Sequence, residues 1–181
     1  MARNSLLADW AGYITSGTIG SSATFPAGHV LQTLAVTTST QRTTTSTGWI
    51  TSPDITLDIT TTGSNKVFIS LCAGLSSKKT TGENASSRTS GGWGLMRGST
   101  HLVEQDICYD VGGHGATTTY GYTANDSASI VYLDSPGAGT HTYAMIFGKA
   151  PSASWTITQS FRVYVSASYP QCSMVLQEIK A

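Results

Sequence analysis

The stretch that decides the fold runs Ile55-Thr56-Leu57-Asp58-Ile59-Thr60 and resumes, after Gly63-Ser64-Asn65, as Lys66-Val67-Phe68-Ile69-Ser70-Leu71-Cys72-Ala73. In the first half every second residue is apolar. Ile55, Leu57 and Ile59 fall on one side, Thr56 and Asp58 on the other. A period of two belongs to a half-buried strand. In the second half Val67, Ile69, Leu71 and Ala73 share one face. Phe68 and Cys72 lie on the opposite face, so both sides of this strand carry apolar groups. The glycine and serine between the halves make a turn.

Working outward, the same reading predicts strands at 30–37, 128–134, 141–148, 157–165 and 172–179, with further ones at 44–51, 93–97 and 101–109. In the segment 157–165, Ile157, Phe161, Val163 and Val165 alternate with Thr158, Ser160, Arg162 and Tyr164. The chain holds 28 Thr and 24 Ser among 181 residues. Thr favours strands; Ser with Gly favours turns. Many short strands at such spacing predict an all-β fold, an antiparallel β-sandwich or jelly roll.

Two stretches break the pattern. Residues 76–92 are polar and rich in Gly and Ser, and residues 112–127 are Gly-rich and then carry Thr117-Thr118-Thr119-Tyr120-Gly121-Tyr122. Both are expected to be long loops, where recognition commonly resides. At the start of the chain Leu6, Trp10 and Ile14 fall at i, i+4 and i+8, which predicts a short helix over 5–11 or an extended arm. Two turns are too short to persist alone in water. Leu6, Leu7, Trp10 and Ile14 are therefore expected to dock on a partner surface. Residues 15–28 are small and flexible. The expected division is an arm and linker over 1–27 and one domain over 28–181.

Ten basic and ten acidic residues cancel. No basic block exists beyond Lys78-Lys79, so nucleic-acid binding is not expected. No run of 18 apolar residues exists, and Asp9 interrupts the first apolar stretch, so neither membrane insertion nor a signal peptide is expected. Cys72, Cys108 and Cys172 are an odd, sparse set, which fits reduced thiols made in a cytoplasm. Cys72 is expected in the core.

No Gly-x-Ser-x-Gly elbow, P-loop or His-Glu-x-x-His motif occurs. No enzymatic activity and no cofactor are expected. Glu104, Asp106 and Asp110 cluster at a predicted strand end, where they could supply oxygen ligands to a metal. His29, His101, His114 and His141 lack paired ligand spacing. The more credible activity is recognition. Trp93, Tyr109, Tyr120 and Tyr122 lie in or beside the irregular stretches. Aromatic rings stack on sugar faces, and Asn125 and Asp126 could bond hydroxyls. A shallow glycan or host-surface site at 76–92 and 112–127 is the resulting expectation.

Four phrases occur in order along the domain. They are Ile55–Thr60 followed by Gly63-Ser64-Asn65-Lys66-Val67-Phe68-Ile69; Leu95-Met96-Arg97-Gly98-Ser99-Thr100; Val131-Tyr132-Leu133-Asp134-Ser135-Pro136 followed by Thr140-His141-Thr142-Tyr143; and the ending Ser173-Met174-Val175-Leu176-Gln177-Glu178-Ile179. Together they resemble the C-terminal module of tailed-bacteriophage fibre and virion structural proteins, over about residues 28–181. The resemblance implies a C1q/TNF-like jelly roll that forms a homotrimer on the virion, made in the bacterial host cytoplasm. It carries no catalytic residue. Only a short arm precedes the module, so docking onto other virion proteins (capsid, portal or tail, fibre base) is implied. A head or tail decoration (cement) protein that recognises nothing is the alternative to a fibre or spike component. A sheet with apolar residues on both faces must cover the second one, and three copies around an axis can do so. Phe68 and Cys72, or Tyr132 and Ile130, are the candidates for that face.

Overall fold

The computed structural model of the chain describes residues 14–15, 18–19, 25–79, 91–106, 123–148, 155–159 and 172–181. Every element among them is a strand: β1 (Ile14–Thr15), β2 (Thr18–Ile19), β3 (Val30–Thr38), β4 (Arg42–Thr44), β5 (Trp49–Thr61), β6 (Lys66–Lys79), β7 (Gly92–Arg97), β8 (Thr100–Asp106), β9 (Thr123–Asp134), β10 (Gly139–Gly148), β11 (Trp155–Gln159) and β12 (Cys172–Ile179). All pairings are antiparallel.

The expected helix over 5–11, with Leu6, Leu7 and Trp10, lies outside the described residues. Ile14 does not extend a helical stripe. It sits in β1, paired with Ile19 of β2. Part of the expected linker is thus a small ribbon, for which β-branched Ile and Thr are well suited. The Gly28 amide donates to the Lys180 carbonyl and the Lys180 amide to the His29 carbonyl, both at 2.8 Å. These bonds tie the entrance of the domain to its last residues.

Two sheets form. One runs β5-β10-β7-β8. The other has β3-β12-β6 along one half of β6 and β4-β11-β6 along the other, with β9 on the far edge of β6. Eight of these strands pair in nested fashion: β3 with β12, β5 with β10, β6 with β9 and β7 with β8. The innermost pair, β7 and β8, is joined by the tight Gly98-Ser99 turn. Gly98 has φ +54° there, a conformation only glycine adopts without strain.

The period-two reading holds where it was clearest. Ile55, Ile59, Val67, Ile69, Leu71 and Ala73 are buried, and Leu57 packs beside them. They meet Trp93, Leu95, Tyr143, Met145 and Phe147 from the four-stranded sheet and Ile130, Cys172, Met174 and Leu176 from the six-stranded one, in a single core between two layers. Burying that apolar surface is the main drive for the fold. The strand expected at 44–51 is split: Thr44 ends β4, 45–48 are not strand, and 49–51 open β5, which continues through the strand expected at 55–59. Residues 52–55 bulge opposite Met145, because Pro53 has no amide to give the ladder.

Several expectations need correction. Cys72 is exposed, not core. It alternates with inward Leu71 and Ala73, and on a strand that forces it outward. Ile130 is 3% exposed and Tyr132 packs against the core, so that pair faces in and Phe68 with Cys72 faces out. The irregular stretches are shorter than expected. Residues 76–79 continue β6 and 123–127 begin β9, because the antiparallel ladder runs unbroken from Val67 opposite Asp134 to Lys78 opposite Thr123. Residues 160–165 lie outside the described residues.

Candidate interaction surfaces

Three cross-strand rows lie on the outer face of the six-stranded sheet, across β3, β12, β6 and β9, with Lys66 of β6 one row beyond them. Thr33, Gln177, Phe68 and Leu133 make the first row. Ala35, Val175, Ser70 and Val131 make the second, and Thr37, Ser173, Cys72 and Ser129 the third. None of these twelve positions is buried, and Val131 and Leu133 are 66% and 51% exposed. None of the chain's ten acidic and ten basic residues falls among them. On β12 the usual arrangement is inverted: Val175 points out and Glu178 points in. The edge strand β9 adds to this. Between Ser127 and Leu133 it carries neither charge nor proline, the devices that normally keep an edge from pairing with another molecule.

Glu178 is 4% exposed and satisfied by its own chain. It accepts from Asn65 Nδ2 and Gln32 Nε2, each at 2.7 Å, and from the Thr62 amide at 3.0 Å. Burial alone would raise its pKa. The donors from Asn65, Thr62 and Gln32 outweigh burial and hold it below its ordinary value. The carboxylate thereby knots β12 to β3 and to the turn before β6.

A second knot joins the two sheets. Asp134, at the end of β9, accepts from Arg97 of β7, from the Tyr143 hydroxyl of β10 at 2.6 Å and from the Ser135 amide at 2.8 Å. Burial, then the hydrogen bond to Asp134, pushes the Tyr143 hydroxyl far above its ordinary pKa. Burial works to lower the Arg97 value, and the hydrogen bond and charge of Asp134 more than reverse this. Each of these buried carboxylates is saturated by donors that hold strands together.

The outer face of the four-stranded sheet is built differently. Trp49, Gly148, Gly92 and Asp106 form one row across β5, β10, β7 and β8, and Thr51, Ile146, Gly94 and Glu104 the next. The two glycines between Trp49 and Asp106 leave a bare channel, and the indole lies in it. A Cβ on Gly92 would stand 2.6 Å from Trp49 Cη2. On β8 Leu102 is an extra residue, with Met96 opposite His101 and Leu95 opposite Val103. That bulge turns His101 onto the same outer face as Glu104. His101 Nδ1 and Glu104 Oε1 lie 2.5 Å apart. The imidazole stands perpendicular to the Trp49 ring, 88° between planes and 6.1 Å between centroids.

The expected site residues separate accordingly. Trp93 is 2% exposed and points into the core from β7, so it cannot stack on a sugar. Its neighbours Gly92 and Gly94 read as loop composition, but they are the side-chain-free face of a strand. Asn125 and Asp126 belong to β9, paired with Ser76 and Leu75, rather than to a loop. Tyr109, Tyr120, Tyr122 and Asp110 lie outside the described residues. Glu104 and Asp106 do share a face, yet no group of three or more His, Cys, Asp or Glu able to hold a metal occurs among the described residues. Among those residues no helix is long and apolar enough to cross a membrane. Trp49 and His101 went unread as a pair. Their signal was the alternation Gly92-x-Gly94, which on a strand clears a channel for one large ring.

No protein-family model matches the chain, and a search of curated proteins finds no relative.

Proposed function

We propose that this chain is a structural module of a tailed-bacteriophage particle, a jelly-roll domain that assembles as a homotrimer and attaches to other virion proteins through residues 1–27. The observation that carries the reading is the charge-free block of twelve positions on the outer face of the six-stranded sheet. Charged side chains are what normally keep a sheet face in water, and here twelve successive outward positions lack them. An uncharged surface on which Phe68, Leu133, Val131 and Val175 lie among Ser and Thr gains free energy when covered. A second copy of the chain is the occupant that fits. The face brings no charge to be desolvated, and with a net charge of zero the copies do not repel.

Area favours three copies over two. Four strands about 4.8 Å apart and three rows about 6.8 Å apart span about 400 Å² in projection. That is about half of what each partner of a stable pair contributes. A closed ring of three gives every protomer two contacts and leaves no open face for further growth. The nested pairing of strands supports the jelly-roll label, since a hairpin rolled over itself is how two Greek keys fill two sheets. The proposal includes recognition of a host-surface glycan by the finished particle.

Light scattering on the full chain tests the reading. The expected mass is that of three protomers, falling to one in the double variant Val131→Asp with Leu133→Asp. A monomeric wild-type chain, or a variant that stays trimeric, overturns it.

A further inference from the structure

We propose that Glu178 is an acid-released clasp: at neutral pH it holds the entrance of the domain, residues 25–29, against the last residues of the chain, and it lets both go when its carboxylate takes up a proton. Three features meet at this side chain. The first is the network. Oε1 accepts from Asn65 Nδ2 at 2.7 Å and from the Thr62 amide at 3.0 Å, and Oε2 accepts from Gln32 Nε2 at 2.7 Å. Two of these partners bond onward. Asn65 Oδ1 accepts from the Ala181 amide at 3.2 Å, and Gln32 Nε2 also donates to the Thr60 carbonyl at 2.7 Å. One carboxylate thus reaches β3, the end of β5, the turn before β6 and the last residue of the chain.

The second feature is the ladder. Gln32 stands opposite Glu178, but Ile179 stands opposite Val30, so Leu31 is an extra residue in β3. A bulge leaves one residue unpaired and disrupts the ladder locally. Beyond it lie the bonds of Lys180 to Gly28 and His29. The chain ends are therefore cut off from the regular ladder at the very position that Glu178 braces.

The third feature is charge. Glu178 is buried, and its partners are neutral amides and a threonine. Among the described residues no Lys, Arg or His pairs with it. Lys66 lies opposite Ile179 and so on the outer face, and Lys180 is partly exposed two residues on. His29 is exposed and stacks on Phe25. Asp58 of β5 is exposed and accepts from Thr142, and His141 of β10 contacts the Gly137 carbonyl. Asp134 shares the inward row, with Val67 between, and pairs with Arg97. An ionised carboxylate only accepts, which suits a ring of donors; a protonated one brings its own O–H among them and must give up a bond. Burial opposes the charge, and the donors from Asn65, Thr62 and Gln32 outweigh it, so the carboxyl titrates below its ordinary value of 4.5. The clasp is closed above that value and opens as pH falls through the lower folded one. Opening frees the root of the arm. That consequence rests on the docking role proposed for residues 1–27; the clasp itself is made inside one protomer and does not.

Amide hydrogen exchange on the full chain, expressed as protection relative to the free peptide rate, tests the clasp. Between about pH 6 and about pH 3, protection at Gly28 and Lys180 should fall about tenfold or more while Ile69 and Leu71 keep theirs. In Glu178→Gln, which puts an amide donor where the ionised oxygen was, the two end amides should already be poorly protected at about pH 6 and should not respond to acid. The core amides read in the same sample show whether the domain is folded, so the wild-type titration decides even where the variant does not fold. End and core amides losing protection together would overturn the proposal, because that is global unfolding. So would end amides that acid leaves unchanged, or a glutamine variant that keeps the wild-type response. Light scattering reads the trimer separately, so failure of the clasp and failure of the assembly are distinguishable.

Discussion

The two sheets treat their outer faces in opposite ways. The four-stranded sheet covers part of its own outside. Glycines on β7 and β10 clear a channel and Trp49 from β5 lies in it, with His101, Glu104 and Asp106 holding the rim in water. The six-stranded sheet does no such thing. It leaves Val131 and Leu133 exposed and sends the one charge of β12, Glu178, inward. Under the proposed reading, the face that the chain does not cover with its own side chain is the one that meets another copy. The difference lies in the side chains, since both sheets are antiparallel and share one core.

The largest expected effect breaks the contrast outright. Placing aspartates at 131 and 133 gives the six-stranded sheet a charged outside like an ordinary surface. The mass by light scattering should drop threefold while the melting temperature of the domain stays close to that of wild type, because surface changes away from packed features cost under about 0.5 kcal/mol within a protomer.

The inverted charge of β12 is tested by Glu178→Ala. Asn65, Gln32 and Thr62 then lose their acceptor, and the loss should be about 3 kcal/mol in denaturant unfolding. The pH dependence has a definite sign. A carboxylate held below its ordinary value of 4.5 contributes stability that is fully present above that value and is lost as pH falls through the lower folded value. Wild-type stability should therefore fall on acidification below about pH 4.5, and this part of the decline should vanish in the variant. An unchanged acid limb would mean the knot contributes nothing.

On the other sheet, Gly94→Ala probes how tightly β7 and β8 approach. The new Cβ would stand 2.2 Å from the Val103 carbonyl oxygen, which is backbone and cannot turn away. A loss of about 2 kcal/mol is expected, typical of overpacking. A melting temperature equal to wild type would show that the strands can part there. The smallest effect is on rate alone. Cys72 lies in the third row of the charge-free face, so in a Cys108→Ser background its modification by a bulky thiol reagent should be slower in wild type than in the 131/133 double variant. Equal rates would place the covered surface elsewhere.

Much of the fold was legible because strands announce themselves by a period of two. The element at 172–179 was read to its end residues, Ile55 and Ile59 were assigned to the inward face, and Val67, Ile69, Leu71 and Ala73 to one shared face. Less of the site was legible. Trp93 was read as a recognition aromatic because it stands beside the irregular stretch 76–92, at the start of the strand predicted at 93–97. Trp49 has no local mark that separates it from a core residue. The pairing of His101 with Glu104 depends on a single extra residue in β8, and a bulge is visible only when the opposite strand is in place.

The sequence by itself determined that the chain is all-β, where most strands run, and that β6 carries apolar groups on both sides, because alternation is a property of the local chain. Only the tertiary structure decided which of those sides faces water. Ile130 and Tyr132 went inward and Val131 and Leu133 outward because the register of β9 against β6 set them there. A shift of one residue would exchange the two sets. Register comes from partners distant in sequence, and no local pattern contains it.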